Sequence, residues 1–261
     1  MSNCLKLNRN SGSFNLEYGL TITPLKSLKA VFFDIDDTLY STSLFASRAR
    51  HNSIRAMMAL GLKFPEKALV HELSEVIREF SSNYERHFDK LLLRIPRRAY
   101  AGINPSVLVA GAVIAYHETK SRELLPFPDV TTALTALAKT GLIRGVITDG
   151  LSVKQSEKLI RLKLYNLFTP GAIFISDDIG ISKPNIKLYR RVCNELNLSP
   201  SEVMYVGDDP VNDIDPAKAL GMITVLMKRG GKYLTRKGKL KPDYQIDNFR
   251  QLLKIVNNLI K

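Results

Sequence analysis

The stretch Val31-Phe32-Phe33-Asp34-Ile35-Asp36-Asp37-Thr38-Leu39-Tyr40 decides how this 261-residue chain folds. Its first residues are apolar and are typical of a buried strand, and three aspartates and a threonine follow within one turn. In an extended chain Asp34 and Asp36 project on the same side, where their like charges repel. The pattern predicts a cation between them, and Mg²⁺ suits an all-oxygen set of ligands. The alternative is a strand followed by a polar loop in which Asp37 or Thr38 caps a helix.

Outward from this stretch, the sequence alternates between apolar runs and helical patterns and is interrupted once. It predicts an α/β fold, with a Rossmann-like parallel sheet core formed by residues 30–41 and 126–261. Residues 42–125 carry apolar side chains at spacings of three and four without a strand pattern, which predicts an inserted helical cap. Residues 1–29 are polar and mixed, and we expect a poorly ordered N-terminal extension there.

Four further strands are predicted for the core. They are Leu142–Ile147, Ala172–Ile175, Val203–Val206 and Met222–Leu226, the last of which is the final clear strand. Polar residues follow three of these strands, namely Thr148, Asp149, Lys183, Asp208, Asp209 and Asp213. Because the carboxyl ends of parallel strands share one edge of a sheet, we expect these side chains to meet Asp34 and Asp36 in one site.

In this order the motifs resemble the haloacid dehalogenase (HAD) superfamily, in the branch with a helical cap after the first motif. Its signatures are matched by Asp34-Ile35-Asp36-Asp37-Thr38, Thr148, Lys183-Pro184, and Gly207-Asp208 through Asp213. The variant Thr148-Asp149-Gly150, the cap position and the ending Pro242–Asn248 are most similar to an archaeal-type subgroup described as glyceraldehyde 3-phosphate phosphatases. The chain departs from the common pattern at Asp149, where asparagine is usual, and at Pro216, where glycine is frequent.

The resemblance implies a phosphatase that hydrolyses a small phosphorylated metabolite through an aspartyl-phosphate. Asp34 would be the nucleophile, and Asp36 would protonate the leaving alkoxide and then take a proton from water. For this role the side chain of Asp36 must face away from the metal. Lys183 would offset the negative charge of the nucleophile and the phosphate.

The same resemblance implies a set of binding residues. Mg²⁺ would be held by side chains of Asp34 and Asp208 and by the backbone carbonyl of Asp36. Phosphate would be bound by Thr148, Asp149 and Lys183, with neighbouring backbone amides. Thr38, Asp209 and Asp213 would support these groups.

Asp36 also separates the reactions of this superfamily, because a halide leaving group needs no proton and dehalogenases typically lack this second aspartate. Its presence favours phosphoryl transfer. A phosphomutase would use the same residues and stays an alternative. A basic nucleic-acid-binding protein with a vestigial site is a third hypothesis, against which the intact Asp34, Asp36, Lys183 and Asp208 argue.

The net charge is +13, yet basic residues are spread along the whole chain, so no nucleic-acid partner is expected. The one dense basic run is Lys228–Lys241, which contains no acid. It is interpreted first as a charged loop that aids solubility and second as an anion-attracting rim of an active site. One or two of five cap arginines are candidates to contact a second anionic group: Arg48, Arg50, Arg55, Arg97 and Arg98.

The two cysteines, Cys4 and Cys193, lie far apart, so neither a disulfide framework nor a zinc site is indicated. No apolar stretch reaches the roughly 20 residues that span a membrane, and the start of the chain lacks an apolar signal core. We therefore expect a cytoplasmic protein without a membrane partner.

Overall fold

The computed structural model describes residues 14–15, 21–22 and 27–260. Most of the predicted N-terminal extension, residues 1–29, therefore lies outside the described residues. Within it, β1 (Phe14–Asn15) pairs antiparallel with β2 (Thr21–Ile22).

The core of the described chain is a sheet of six parallel strands. They are β3 (Ala30–Phe33), β4 (Ile143–Thr148), β5 (Ile173–Ile175), β6 (Val203–Gly207), β7 (Ile223–Met227) and β8 (Tyr244–Ile246). Across the sheet they lie in the order β5-β4-β3-β6-β7-β8. The predicted α/β fold is confirmed, and the strands of the first and fourth motifs are neighbours at the centre of the sheet.

Ten α-helices accompany this sheet in residues 27–260. Those inserted after β3 are α1 (Thr42–Ala59), α2 (Glu66–Phe80), α3 (His87–Arg94) and α4 (Pro105–Glu123). Those of the core are α5 (Val130–Ala138), α6 (Ser152–Arg161), α7 (Ser176–Ile179), α8 (Ile186–Glu195), α9 (Asp215–Leu220) and α10 (Phe249–Leu259). No helix among these is both long enough and apolar enough to cross a membrane.

Helices cover both faces of the sheet, and β3 is accordingly apolar and buried at every position. Val31 and Phe33 point to one face, where side chains of α5 and α10 pack, and Ala30 and Phe32 point to the other, where α8 and α9 pack. Each buried aromatic side chain of this kind contributes about 2–3 kcal/mol of apolar burial. The fully buried β3 therefore fixes the position of the acidic turn that follows it.

The four inserted helices have an apolar cluster of their own, formed by side chains between Ile54 and Ala112. The two linkers that join them to the core run side by side, since the Phe127 N–H donates to the Leu39 carbonyl at 2.9 Å. The start of α1 still belongs to the core, because Phe45 packs in the core cluster. The helical insertion thus leaves and re-enters the sheet domain at one place.

Strand β8 (Tyr244–Ile246) was not among the strands predicted from sequence, which ended at Met222–Leu226. It has three residues, two of them exposed, and follows a proline and an aspartate, so it has neither the length nor the alternation of a recognisable strand. It becomes a strand because β7 offers an open edge to pair with.

Candidate active site

The polar residues singled out in the sequence converge at the carboxyl edge of the sheet. Asp34 follows β3, Thr148 ends β4 and Asp208 follows β6. The register brings β3 and β6 into contact, with the Asp34 N–H donating to the Val206 carbonyl at 2.9 Å. A cavity of about 1350 Å³ lies between this edge and the inserted helices.

Asp34 lies at the floor of this cavity and is paired with Lys183. The Lys183 ammonium donates to Asp34 Oδ1 at 2.7 Å and to Asp213 Oδ1 at 2.8 Å. Burial raises the pKa of Asp34 to about 7, even though Lys183 opposes that rise. Burial by itself would lower the pKa of Lys183, but Asp213 and Asp34 hold it well above its usual range, so this lysine stays charged.

Asp213 has both carboxylate oxygens occupied. Oδ1 accepts from Lys183 and from the Tyr205 hydroxyl at 3.2 Å, and Oδ2 accepts the Asp209 N–H at 3.0 Å. These bonds fix the Asp213 carboxylate, which in turn holds the Lys183 ammonium beside Asp34.

Asp208 has an unsatisfied side chain. Its Oδ2 is buried without a hydrogen-bond partner in the described part of the chain. Burial, and next the charge of Asp34, raise the pKa of Asp208 to about 9. Carboxylate oxygens of Asp34, Asp208 and Asp213 lie within 4.8 Å of one another. Because Asp213 is already bonded, Asp34 and Asp208 are the pair with capacity for a divalent cation, and an all-carboxylate pair of this kind fits Mg²⁺.

Asp36 faces a different set of partners. Its Oδ1 accepts from the Tyr40 hydroxyl at 2.5 Å and the Thr42 hydroxyl at 2.7 Å, and the Lys158 ammonium donates to Oδ2 at 2.6 Å. Burial alone would raise the pKa of Asp36, but Lys158 and these hydrogen bonds hold it below its usual value. None of these three partners bonds the carboxylate of Asp34, so the two acids have separate surroundings.

The remaining residues of the first motif shape the turn. The Asp37 carboxylate accepts the Ser43 N–H at 3.2 Å and the Ser43 hydroxyl at 2.9 Å, so Asp37 does bond the first turn of α1. The N-cap of α1 is nevertheless Ser41, whose hydroxyl accepts the Leu44 N–H at 3.3 Å, so the alternative in which Asp37 or Thr38 caps the helix is not met. Thr38 Oγ1 is buried with no hydrogen-bond partner among the described residues.

Thr148 ends β4, Asp149 follows it, and both residues line the cavity. Asp149 Oδ1 accepts the Lys183 N–H at 3.0 Å, and the Asp149 carbonyl accepts from the Gln155 side chain at 2.7 Å. Asp149, which stands where asparagine is usual, therefore bonds the backbone of Lys183.

The Asp209 side chain bonds neither Asp34 nor Lys183. Oδ1 accepts the Val211 N–H at 3.0 Å, and Oδ2 accepts from the side chains of Asn212 at 2.8 Å and Arg236 at 2.7 Å. These bonds hold the turn that follows Asp208.

Lys158, which bonds Asp36, was not identified as a site residue from the sequence. It lies on α6, and nothing in the spacing of that helix distinguishes it from Lys154 or Arg161. Only the packing of α6 beside the first motif brings its ammonium to Asp36. A pattern search along the chain could not have found it, although a carboxylate whose pKa lies below its usual value is expected to have a cation beside it.

Among the five cap arginines, Arg50 alone lines the cavity. Arg48 pairs with Glu123, Arg55 pairs with Glu66, and Arg97 stacks on the ring of Tyr100. Within residues 27–260, Arg50 makes no hydrogen bond or ion pair. Burial lowers the pKa of its guanidinium, which Tyr116 opposes.

The basic run Lys228–Lys241 also reaches the cavity, because Lys232 and Tyr233 line it. The first interpretation, a loop that only aids solubility, does not account for this position. The second, a rim of the active site, does.

The profile of the haloacid dehalogenase-like hydrolases matches residues 31–227. A relative named glyceraldehyde 3-phosphate phosphatase, from Methanopyrus kandleri, is 45% identical over 240 residues, which cover 90% of this chain and 99% of the relative. A relative of the same name from Pyrococcus furiosus is 40% identical over 234 residues, covering 89% and 94%. The solved structure of a HAD phosphatase from Thermococcus onnurineus superimposes with a TM-score of 0.62 at 24% identity, covering 88% of this chain and 98% of that one. The chain belongs to the haloacid dehalogenase-like hydrolase family.

Proposed function

We propose that this protein is a Mg²⁺-dependent phosphoric monoester hydrolase that acts on a small phosphorylated metabolite. Glyceraldehyde 3-phosphate is the first candidate, because relatives that are 45% and 40% identical over about nine tenths of the chain carry that name. The observation that carries the proposal is the separation of two acids. Asp34 lies beside Lys183 and Asp208, while Asp36 lies beside Tyr40, Thr42 and Lys158.

In the first half-reaction a carboxylate oxygen of Asp34 attacks phosphorus in line with the ester oxygen. The new O–P bond forms as the ester O–P bond breaks, and Asp36 gives its proton to the departing alkoxide. Lys183 is bonded to Asp34 and balances the charge that develops on the phosphoryl oxygens. Phosphoryl transfer needs little else from the protein than this positioning.

In the second half-reaction water attacks the aspartyl-phosphate and Asp36 takes its proton, which releases phosphate and restores Asp34. The low pKa of Asp36 in the free protein favours the carboxylate that accepts this proton. A bound phosphate dianion has the opposite effect on Asp36 and favours the protonated form needed in the first half-reaction.

The side chains of Asp34 and Asp208 and the backbone carbonyl of Asp36 would hold Mg²⁺. The unsatisfied Asp208 Oδ2 and the mutual repulsion of these buried acids support this assignment. When bound, Mg²⁺ supplies positive charge against which phosphoryl oxygens are stabilised. Thr148 and the backbone amide of Asp149 would contact phosphate oxygens, and Thr38, Asp209 and Asp213 would support the site.

The test is phosphate release across a panel of phosphorylated metabolites, with and without Mg²⁺. We expect release that chelation abolishes, with glyceraldehyde 3-phosphate among the preferred substrates. Asp34→Asn should reduce turnover by about 10⁴-fold or more, as removal of a nucleophile does, without unfolding the protein. Full activity of this variant would refute the mechanism, and conversion of a sugar phosphate to its isomer without phosphate release would identify a phosphomutase.

A further inference from the structure

The basic run Lys228–Lys241, here called the basic loop, connects β7 to β8 and borders the active site. Its two ends are fixed to the core. The Arg229 guanidinium donates to Asp129 at 2.7 Å and stacks on the ring of Phe127 at 4.5 Å. At the other end, backbone N–H groups of Lys239 and Leu240 donate to the Asp215 carboxylate at 2.9 and 2.8 Å.

The middle of the basic loop is fixed as well, and its anchors lie at the acidic motifs. Arg236 donates to Asp209 Oδ2 at 2.7 Å. Gly231 has a φ of +85°, and a Cβ at this position would lie 2.8 Å from the Cβ of Asp37. Only glycine allows the loop backbone to approach the first motif this closely. Lys232 is therefore held at the edge of the catalytic residues.

Lys232 differs from the other cations at this end of the cavity. Lys183, Lys158 and Arg236 each form an ion pair with an aspartate. The Lys232 ammonium lies 4.6 Å from the centre of the Tyr233 ring and makes no ion pair with any described residue. Burial acts to lower its pKa, but Tyr233, Asp208 and Asp37 raise it overall, so the charge is retained.

The neighbours of Lys232 indicate which part of a substrate it can reach. Among the main influences that raise its pKa are the charges of Asp208 and Asp37, both on the core face, and Gly231 beside it packs against Asp37. In the proposed reaction the phosphoryl group lies between Asp34 and Asp208. An unpaired ammonium beside Asp208 is suited to an anion at that place.

We propose that Lys232 is a phosphate-binding residue, which contacts a phosphoryl oxygen of the substrate from the Asp208 side while Lys183 acts from the Asp34 side. The inference rests on the proposed phosphatase function. It assigns the basic loop to the active site as a wall contributed by the core.

The experiment compares Lys232→Met, Lys232→Arg and the matched control Lys237→Met, a lysine of the same loop that does not line the cavity. Binding of orthophosphate to the Mg²⁺-loaded protein is measured by calorimetry, together with kcat/KM and Tm. We expect Lys232→Met to weaken orthophosphate binding roughly tenfold or more, the scale of a lost hydrogen bond to a charged group. Lys232→Arg should recover most of that loss, and Lys237→Met should stay within twofold of the wild type.

The proposal is overturned if Lys232→Met binds orthophosphate as well as Lys237→Met does. It is equally overturned if Lys232→Met tightens Mg²⁺ binding and leaves phosphate binding unchanged, because the lysine would then act only as a counter-ion of Asp208. A lower Tm that Lys232→Arg does not rescue would assign a structural role instead. The phosphate measurement is independent of turnover, so absence of any phosphatase activity would count against the proposed function alone.

Discussion

The core face and the cap face of the cavity are organised in different ways. On the core face Asp34, Lys183 and Asp213 are bonded together, since the Lys183 ammonium lies 2.7 Å from Asp34 and 2.8 Å from Asp213. On the cap face Arg50 lines the cavity without a partner among the described residues, beside Tyr116. Asp34, Lys183 and Asp213 are thus arranged before a substrate arrives, whereas Arg50 on the cap face remains available to bind one.

This difference separates two tasks that one cavity must perform. Bonded side chains hold fixed charges where a transition state needs them, and they require no rearrangement at the moment of reaction. In the proposed function, an unpaired donor across the cavity, such as Arg50, would bind the part of the substrate that lies away from its phosphoryl group. Changes on the core face should therefore act on the chemical step, and changes on the cap face should act on the choice of substrate.

The largest effect in this comparison is expected for Asp36→Asn, which removes proton transfer while leaving Asp34 in place. We expect kcat/KM, which reports the first half-reaction, to fall by roughly 10² to 10⁴ on an alkyl phosphate. The loss should be much smaller on an aryl phosphate with a good leaving group, which needs no proton. Steady-state kinetics on both esters measure this, and an equal loss on the two would contradict the acid role of Asp36.

Lys158→Met should have the next largest effect. Because Lys158 holds the pKa of Asp36 below its usual value, its removal should raise that pKa. Both the form of Asp36 that gives a proton and the form that takes one then titrate at higher pH. The pH–rate profile should therefore shift toward higher pH, whichever half-reaction limits kcat. Lys158→Arg, which keeps the charge, is the control, and an unmoved profile in Lys158→Met would exclude this coupling.

Arg50→Met tests the cap face. We expect KM for the physiological metabolite to rise roughly tenfold, as for a lost hydrogen bond to a charged group, while kcat changes little. A small generic ester that cannot reach Arg50 should show no change. Arg48→Met, on the same helix but paired with Glu123, is the matched control. A fall in kcat on all esters would place Arg50 with the core face instead.

The smallest effect on activity is expected at the joint between the two faces. Asp129 accepts from Arg229 at 2.7 Å and from the Phe249 N–H at 2.8 Å. Asp129→Asn should lower the free energy of unfolding by about 1–2 kcal/mol at neutral pH. Burial acts to raise the pKa of Asp129, but Arg229 and the Phe249 N–H lower it overall. The stabilisation is therefore present above about pH 4 and is lost as pH falls through the lower folded pKa.

Chemical denaturation at pH 7 and pH 3 measures that difference. Asp89→Asn, at an exposed pair with Arg86, should change the free energy of unfolding by less than about 0.5 kcal/mol. A difference between Asp129→Asn and wild type that persists unchanged at pH 3 would contradict the ionic origin of the stabilisation.

The core face could be predicted from sequence because its residues follow strands. Asp34, Thr148 and Asp208 each come directly after or at the end of an apolar run, and parallel strands bring such positions to one edge whatever the details of packing. The expectation that Asp36 faces away from the metal came from the family resemblance, because its role in proton transfer requires that orientation.

The rest could not be predicted because it depends on how helices and loops pack. Lys158 and Arg50 lie on helices among many other basic residues, and only tertiary contacts decide which of them faces the cavity. Lys232 lies in a segment whose composition resembles a solvated loop. Its position follows from Gly231 and Arg236, whose partners are far away in the chain.

The side-by-side linkers at Leu39 and Phe127 have a consequence for how this architecture can change. An insertion whose two ends already touch adds little to the chain-closure entropy of the host, since each doubling of loop length costs only about 0.6 kcal/mol. The inserted helices also carry their own apolar cluster. Exchange of the part of this segment that lies beyond Phe45, Ala49 and Leu124, which pack in the core cluster, would therefore leave the stability of the sheet largely intact. In the proposed function, new substrate preferences can arise by exchange of the inserted helices at this one junction, without any change in the residues of the core face.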